Sequence, residues 1–232
     1  MSSHQISHVI FDCDGLLLDT ESIYSEVIGA LCSKYGHTFN WDLKAKQMGR
    51  TERESAQVLI DYFQLPITVD DYVAFTEKGY IEHFPSSKLL PGAERLVRHL
   101  HAHGVPIAVA TGSSEFKYNL KITNHKELFS LFSHIVFASD DPDVRQSKPC
   151  PDVFNVCAER FPGEPPSNKS KVLVFEDAPN GVEASYSAGF PCIFIPDPNL
   201  KVSEDVKEKA TTILSSLEDF IPEQYGLPAY DS

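Results

Sequence analysis

Four polar clusters hold the residue types from which a reaction site could be built. Asp12-Cys13-Asp14-Gly15 places two carboxylates two residues apart, the pair that nucleophilic and general acid–base chemistry both draw on. Thr111-Gly112-Ser113-Ser114 offers hydroxyl and backbone N–H donors for an anion. Lys148-Pro149 supplies a cation, and Glu176-Asp177 a pair of hard oxygen donors of the kind that hold divalent ions. Taken one at a time these are weak signals. A D-x-D is common in turns, Thr111-Gly112 could end a strand, Lys148 could be a solvated loop lysine, and Glu176-Asp177 could cap a helix. Their shared position is the stronger observation.

Each cluster follows a short apolar run. Val9–Phe11, Ile107–Ala110, Ile135–Ala138, Val172–Phe175 and Cys192–Ile195 read as buried strands, several flanked by Gly or Pro. Helix-period segments lie between them. Ala93, Leu96, Val97 and Leu100 form one stripe closed by Gly104, and Val182, Tyr186 and Gly189 mark another helix. Strands alternating with helices predict parallel βαβ units covered on both faces, and ligands bind at the carboxyl edge of such a sheet. One interval breaks the rhythm. From Asp19 to about Pro85 the pattern is helical only, with stripes at Ile23, Tyr24, Val27, Ile28, Leu31 and Tyr35 and at Ala56, Leu59, Ile60 and Phe63. Gln64 to Pro66 and Thr68 to Asp71 read as a link and a cap between helices. The expected architecture is an α/β core domain over 1–18 and 86–232, a Rossmann-like parallel sheet with helices on both faces. An all-helical cap domain, 19–85, is inserted after the first strand.

Composition narrows the partners. The chain has 232 residues, 20 basic against 33 acidic, for a net charge of −13. Such a surface repels nucleic acid and anionic membrane, so neither is expected as a partner. It also repels anionic metabolites, so a phosphate ligand must be drawn in by a local cation or metal. No apolar run approaches the ~20 residues that span a bilayer. The first residues lack the basic and apolar regions of a secretory signal. The five cysteines show no C-x-x-C spacing, which suits a reducing compartment. A cytoplasmic, monomeric protein is expected.

The ordered set D-x-D-G, Thr/Ser, Lys-Pro and acidic pair resembles the haloacid dehalogenase superfamily, as does a helical insertion after the first strand. The longer strings Phe11–Glu21 and Val174–Glu183 carry the likeness further. So do Trp41–Arg50, His125–Val136 and Phe220–Tyr230, which resemble one branch of its phosphatases. The resemblance implies a phosphomonoester hydrolase acting on a small phosphorylated metabolite. Asp12 would be the nucleophile that becomes an aspartyl-phosphate, splitting one hard hydrolysis into two easier steps. Asp14 would protonate the leaving oxygen and then deprotonate the attacking water. Mg2+ would be held by Asp12, Asp177 and, by family likeness, the Asp14 carbonyl, with Glu176 as a further ligand or the holder of a metal-bound water. Lys148 would hold the phosphoryl oxygens and the nucleophile; Thr111 and the Gly112 amide would bind the equatorial oxygens. Glu21, Arg50 and Thr51 are the candidates for contacts to the leaving group.

Other readings are weighed on particular residues. A cysteine phosphatase needs an arginine six residues beyond its thiol, and Asp19 stands there after Cys13. Flanking aspartates also raise a thiol pKa. On a helix His99 and His103 share a face while His101 points elsewhere, so the three do not make a metal cluster. Dehalogenases resemble this pattern but lack the second acid that Asp14 provides. Sugar phosphomutases of this type typically carry an arginine three residues after the cap-loop glycine; counting from Gly49, this chain has Glu52. A ligand-binding module on the same fold would be expected to lose an essential group, and Asp12, Asp14, Thr111, Lys148 and Asp177 are all present.

Overall fold

The computed structural model describes residues 5–47, 52–163 and 165–231. Its centre is a six-stranded sheet in the order β3-β2-β1-β4-β5-β6. The strands are β1 (His8–Phe11), β2 (Ile107–Thr111), β3 (Ile135–Phe137), β4 (Val172–Glu176), β5 (Cys192–Phe194) and β6 (Thr212–Ile213). Every pairing is parallel. All five strands of the sequence reading are found close to their expected positions. Two begin the chemistry earlier than expected, because Thr111 and Glu176 are the last residues of their strands rather than the first after them. The sixth strand is two residues long, too short to leave a pattern in the sequence.

Alternation along the strands builds two cores, because successive side chains point to opposite faces. Val9, Phe11, Val109, Leu173 and Phe175 pack with α5 (Ala93–Ala102), α6 (Glu115–Lys121) and α7 (Lys126–Phe129). Ile10, Ala108, Ala110 and Val174 face the other way, onto α8 (Asp152–Glu159), α9 (Pro179–Ala188) and α10 (Glu204–Lys209). In α9 Val182 is buried as its spacing predicts, but Tyr186 is exposed, since it stands a turn away on the outer side of a short helix.

Between β1 and β2 come α1 (Glu21–Lys34), α2 (Trp41–Gln47), α3 (Glu52–Phe63) and α4 (Val69–His83). These helices have their own apolar cluster, centred on Ile28, Leu31, Leu43, Leu59 and Tyr72. The Thr68–Asp71 signal is a capping box: each side chain takes the other's backbone N–H. A smaller cluster of Ile23, Val27, Tyr80 and Phe84 lies where the helices return to the sheet. Among the described residues, no helix is long and apolar enough to cross a membrane.

Candidate active site

The chain runs from β1 to β2 and β3 on one side and to β4, β5 and β6 on the other. β1 is therefore next to the point where strand order reverses, where the carboxyl edge opens into a crevice. Phe11 pairs with Val109 on one side and Phe175 on the other. Asp12 follows it, still tied to the sheet by its N–H to the Phe175 carbonyl (3.0 Å). It is buried, at 6% exposure. The other clusters meet it there. The Lys148 ammonium lies 2.5 Å from Asp12 Oδ1, 2.7 Å from Glu176 Oε1 and 3.2 Å from the Ala110 carbonyl. One carboxylate oxygen from each of Asp12, Glu176 and Asp177 falls within 4.8 Å of the others.

Glu176 is held more firmly than its place in the sequence suggests. One oxygen takes Lys148, and the other accepts the N–H groups of Asp177 (3.0 Å) and Ala178 (3.1 Å). Both its oxygens are thus engaged in fixing Lys148 and the turn into α9. Asp177 differs: among the described residues no donor reaches its carboxylate. It lies against Gly15, where an added Cβ would come 2.3 Å from Asp177 Oδ2. Gly15 also has φ +80°, a left-handed turn that side chains resist.

Asp14 belongs to a second, adjoining cluster. Its Oδ1 accepts from Lys121 Nζ (2.5 Å) and Thr20 Oγ1 (2.7 Å), and its Oδ2 from Ser113 Oγ (2.9 Å) and Thr111 Oγ1 (3.3 Å). Gly112 is exposed at the rim, and its carbonyl accepts from Ser139 (2.7 Å). Glu21 stands beside Gly15 and pairs with Lys44 at 2.9 Å. Arg50 and Thr51 lie outside the described residues. Cys13 is fully buried and its thiol is pushed well up, by burial first and the Asp14 charge next, as befits a core residue. His99 and His103 share a face, and each has a ring nitrogen on a backbone carbonyl, of Pro228 and His99 respectively; Asp231 approaches His103 at 3.8 Å.

The charges divide the site in two. Burial, with help from Glu176 and Asp14, pushes the Asp12 carboxyl up to about 7 against the pull of Lys148. Burial and the charges of Glu176, Asp12 and Glu21 push Asp177 well up too. Around Asp14 burial acts the same way, but Lys121 and the hydrogen bonds from Lys121, Thr20 and Ser113 outweigh it and hold the carboxyl below its usual value. The Lys148 ammonium is favoured by Asp12 and Glu176 over the opposing effect of burial. Ionised together, the three carboxyl groups around one ammonium would carry two negative charges in excess, a repulsion that adds to burial in raising Asp12 and Asp177, and Asp177 has no protein donor among the described residues. That donor set fits a divalent cation such as Mg2+.

Sequence reasoning missed Lys121, Thr20 and Tyr24, and it quoted Ser113 without a role. Lys121 closes the last turn of α6, where a lysine reads as a solvated, dipole-compensating residue. Its partners come from distant segments, so no local pattern could reveal it.

A fold and site of this kind define the class of α/β proteins with a parallel sheet whose carboxyl edge gathers acidic side chains. A sequence model of the haloacid dehalogenase-like hydrolases matches residues 6–189, and the chain belongs to that family. It is 45% identical over 228 residues to (DL)-glycerol-3-phosphatase 2 of Arabidopsis thaliana, covering 97% of this chain and 93% of that one. It is 43% identical over 226 residues to a probable pseudouridine-5'-phosphatase of Drosophila melanogaster, covering 97% and 96%. Among solved structures, a HAD family hydrolase from Deinococcus radiodurans R1 with bound phosphate and sodium shares the fold with TM-score 0.80 at 21% identity, covering 98% of this chain and all of that one, at 100%. The chain is a phosphatase of the haloacid dehalogenase-like family, a group whose phosphatases generally use Mg2+.

Proposed function

We propose that this phosphatase is a Mg2+-dependent phosphomonoester hydrolase acting on a small phosphorylated metabolite through an aspartyl-phosphate on Asp12, with pseudouridine 5'-phosphate as its substrate. The observation that carries the reading is the convergence of Lys148, Glu176 and Asp177 on Asp12 at the end of the central strand. Asp12 attacks phosphorus in line with the leaving oxygen. Lys148, fixed from behind by Glu176, neutralises the nucleophile and the phosphoryl oxygens without reorganising. Thr111 and the Gly112 amide receive the equatorial oxygens. Asp14, which its donors favour as a carboxylate, takes up a proton when the ester binds, gives it to the leaving oxygen and then takes one from the water that opens the acyl-phosphate. Asp12, Asp177 and the Asp14 carbonyl would hold Mg2+, which offsets negative charge on the substrate and its surroundings. Glu176 acts through Lys148 and the turn.

Helices α1–α4 form the cap, residues 19–85, over this edge. Leaving-group selection resides there, because the core residues meet only the phosphoryl group. Glu21, Arg50 and Thr51 are proposed contacts. From Glu21 a short path leads to Lys44, whose ammonium lies 4.8 Å over the Trp41 ring. A flat, hydrogen-bonding group such as a nucleobase suits that surface. Glu52 pairs with Lys117 at 2.9 Å, which speaks against holding a second phosphate there, as a phosphomutase must. Five free cysteines support a reducing, cytoplasmic setting, and the acidic surface supports a monomer without nucleic acid or membrane partners.

The 45% identity to a glycerol-3-phosphatase favours glycerol 3-phosphate as the second reading. A panel of pseudouridine 5'-phosphate, uridine 5'-phosphate, glycerol 3-phosphate and hexose phosphates, compared by kcat/KM, separates the two. Preference for the C-glycoside nucleotide, lost in Trp41→Ala while glycerol 3-phosphate turnover stays, is the expected result. Preference for glycerol 3-phosphate in the intact protein rejects the nucleotide.

A further inference from the structure

Lys121 is buried with 0% exposure, yet the reaction outlined above gives it no task. A buried ammonium persists only where it is paired and hydrogen-bonded. Here it is held on every side. Its Nζ reaches Asp14 Oδ1 at 2.5 Å, Ser113 Oγ at 2.7 Å and the Tyr24 hydroxyl at 3.1 Å. It also lies over the rings of Phe84 (4.7 Å) and Tyr24 (5.3 Å). The rings come from the helical insertion and the segment that closes it; the carboxylate comes from the sheet edge.

The arrangement parallels that of Lys148. Each working carboxylate has its own buried lysine at 2.5 Å, Lys148 for Asp12 and Lys121 for Asp14. Both lysines are braced by a further side chain, Glu176 for one and Ser113 for the other. The other donors to Asp14 are hydroxyls, which rotate and can turn to other acceptors. An ammonium wedged against two rings cannot. Asp12 is a like charge close by, and it favours Asp14 moving off its position unless a cation opposes it.

We infer that Lys121 is a positioning residue for Asp14, fixing its carboxylate on the leaving-group side of the site. The inference rests on the phosphatase reading in which Asp14 serves the leaving oxygen. Lys121 bonds Asp14 rather than the nucleophile, so its loss acts on the two proton transfers assigned to Asp14, at the leaving oxygen and at the water, and spares substrate hold. A purely structural lysine would weaken all substrates alike.

The test compares Lys121→Met with the wild-type protein on an alkyl phosphate, whose alkoxide needs a proton, and on p-nitrophenyl phosphate, whose leaving group does not. In Lys121→Met, the single-turnover rate at which the alkyl ester releases its alcohol should fall about a hundredfold, the scale of a lost general-acid contribution. The single-turnover release of p-nitrophenolate, and the substrate affinities read from the same measurements, should stay within about threefold, whereas steady-state kcat falls for both esters because the later water step also uses Asp14. Tyr24→Phe keeps the ring and removes one anchor of the ammonium, and it should show the same selectivity at smaller size; this variant decides the matter if Lys121→Met does not fold. Equal losses in the two single-turnover release rates, or none in either, overturn the inference. Wild-type hydrolysis of p-nitrophenyl phosphate and its loss in Asp12→Asn check the underlying reading separately. Failure there removes the role of Asp14 and this inference with it, whereas success there with unselective Lys121 variants overturns the inference alone.

Discussion

Gly181 and Glu176 occupy positions that exclude any side chain on the former. A Cβ on Gly181 would lie 1.8 Å from Glu176 Oε1 and 1.9 Å from its Cδ. The first turn of α9 therefore packs directly on the carboxylate that braces Lys148. Gly181→Ala should push Glu176 off its two backbone donors and loosen Lys148. We expect a loss of about 1–3 kcal/mol in stability, the usual cost of overpacking, together with a fall in kcat. Denaturant unfolding and p-nitrophenyl phosphate turnover check both. A variant of wild-type stability and rate would show that Glu176 can move freely.

Asp12→Asn changes little in volume and should keep the fold while abolishing turnover. Lys148→Met is the harsher change, because it strands Asp12 and Glu176 with Asp177 nearby and removes their cation. Breaking a buried pair in this way costs about 3–5 kcal/mol. The expected outcome is a Tm well below that of Asp12→Asn, read in the same buffer; a reversed order would count against the charge balance described for the site.

Removal of divalent ions by a chelator should stop hydrolysis, and Mg2+ should restore it. Bound cation also relieves the repulsion among Asp12, Glu176 and Asp177. At a hundred times its Kd, an ion that binds only the folded chain stabilises it by about 2.7 kcal/mol. A Tm that does not move with Mg2+ in the wild-type protein would argue against this cluster as the cation site.

His134 gives the fold a sensitivity to acid remote from the reaction. Its Nε2–H donates to the Cys157 carbonyl at 2.8 Å, and its buried Nδ1 has no partner among the described residues. Burial holds the imidazole below its ordinary value of 6.5, with the Arg160 charge adding to that effect. The unfolded chain thus binds the proton more readily. The contribution of neutral His134 is complete above 6.5 and is lost as pH falls from there through the lowered folded value. Tm should decline on acidification in that window, and His134→Phe should flatten the decline at the cost of a lower Tm at neutral pH. An unchanged slope in the variant would assign the acid sensitivity elsewhere.

The Glu52–Lys117 pair joins α3 to α6, at side-chain exposures of 33% and 24%. Partly exposed pairs of this kind contribute about 0–1 kcal/mol, so Glu52→Gln should barely shift Tm. Glu52→Arg should instead create a basic site with Lys117. A sugar bisphosphate should then inhibit about tenfold more tightly than it inhibits the wild type, a gain of about 1.4 kcal/mol. Unaltered inhibition would place this pair away from the leaving group.

Much of the fold was legible before the structure, because its signals are local. Five apolar runs, the helical interval after Asp19 and the Thr68–Asp71 cap each declare themselves within a few residues. The four polar clusters could be named for the same reason: Asp12, Thr111 and Glu176 stand at or just past the end of such a run, Lys148 stands in the loop after β3, and parallel strands bring their ends to one edge. The exact duties of the acidic pair were not legible. Glu176 and Asp177 are neighbours in the chain, but burial against Gly181 turns one toward Lys148, while the space beside Gly15 leaves the other without a protein donor among the described residues.

The amino-acid order by itself determined the α/β pattern, the helical insertion and the polar clusters that carry Asp12, Asp14, Thr111, Lys148 and Asp177, since period and spacing are properties of short stretches. Only the tertiary structure decided that Asp14 meets Lys121, 107 residues away, with Tyr24 and Phe84 around it. A buried charge must find its partner wherever packing puts one, and that pairing is written in no local pattern.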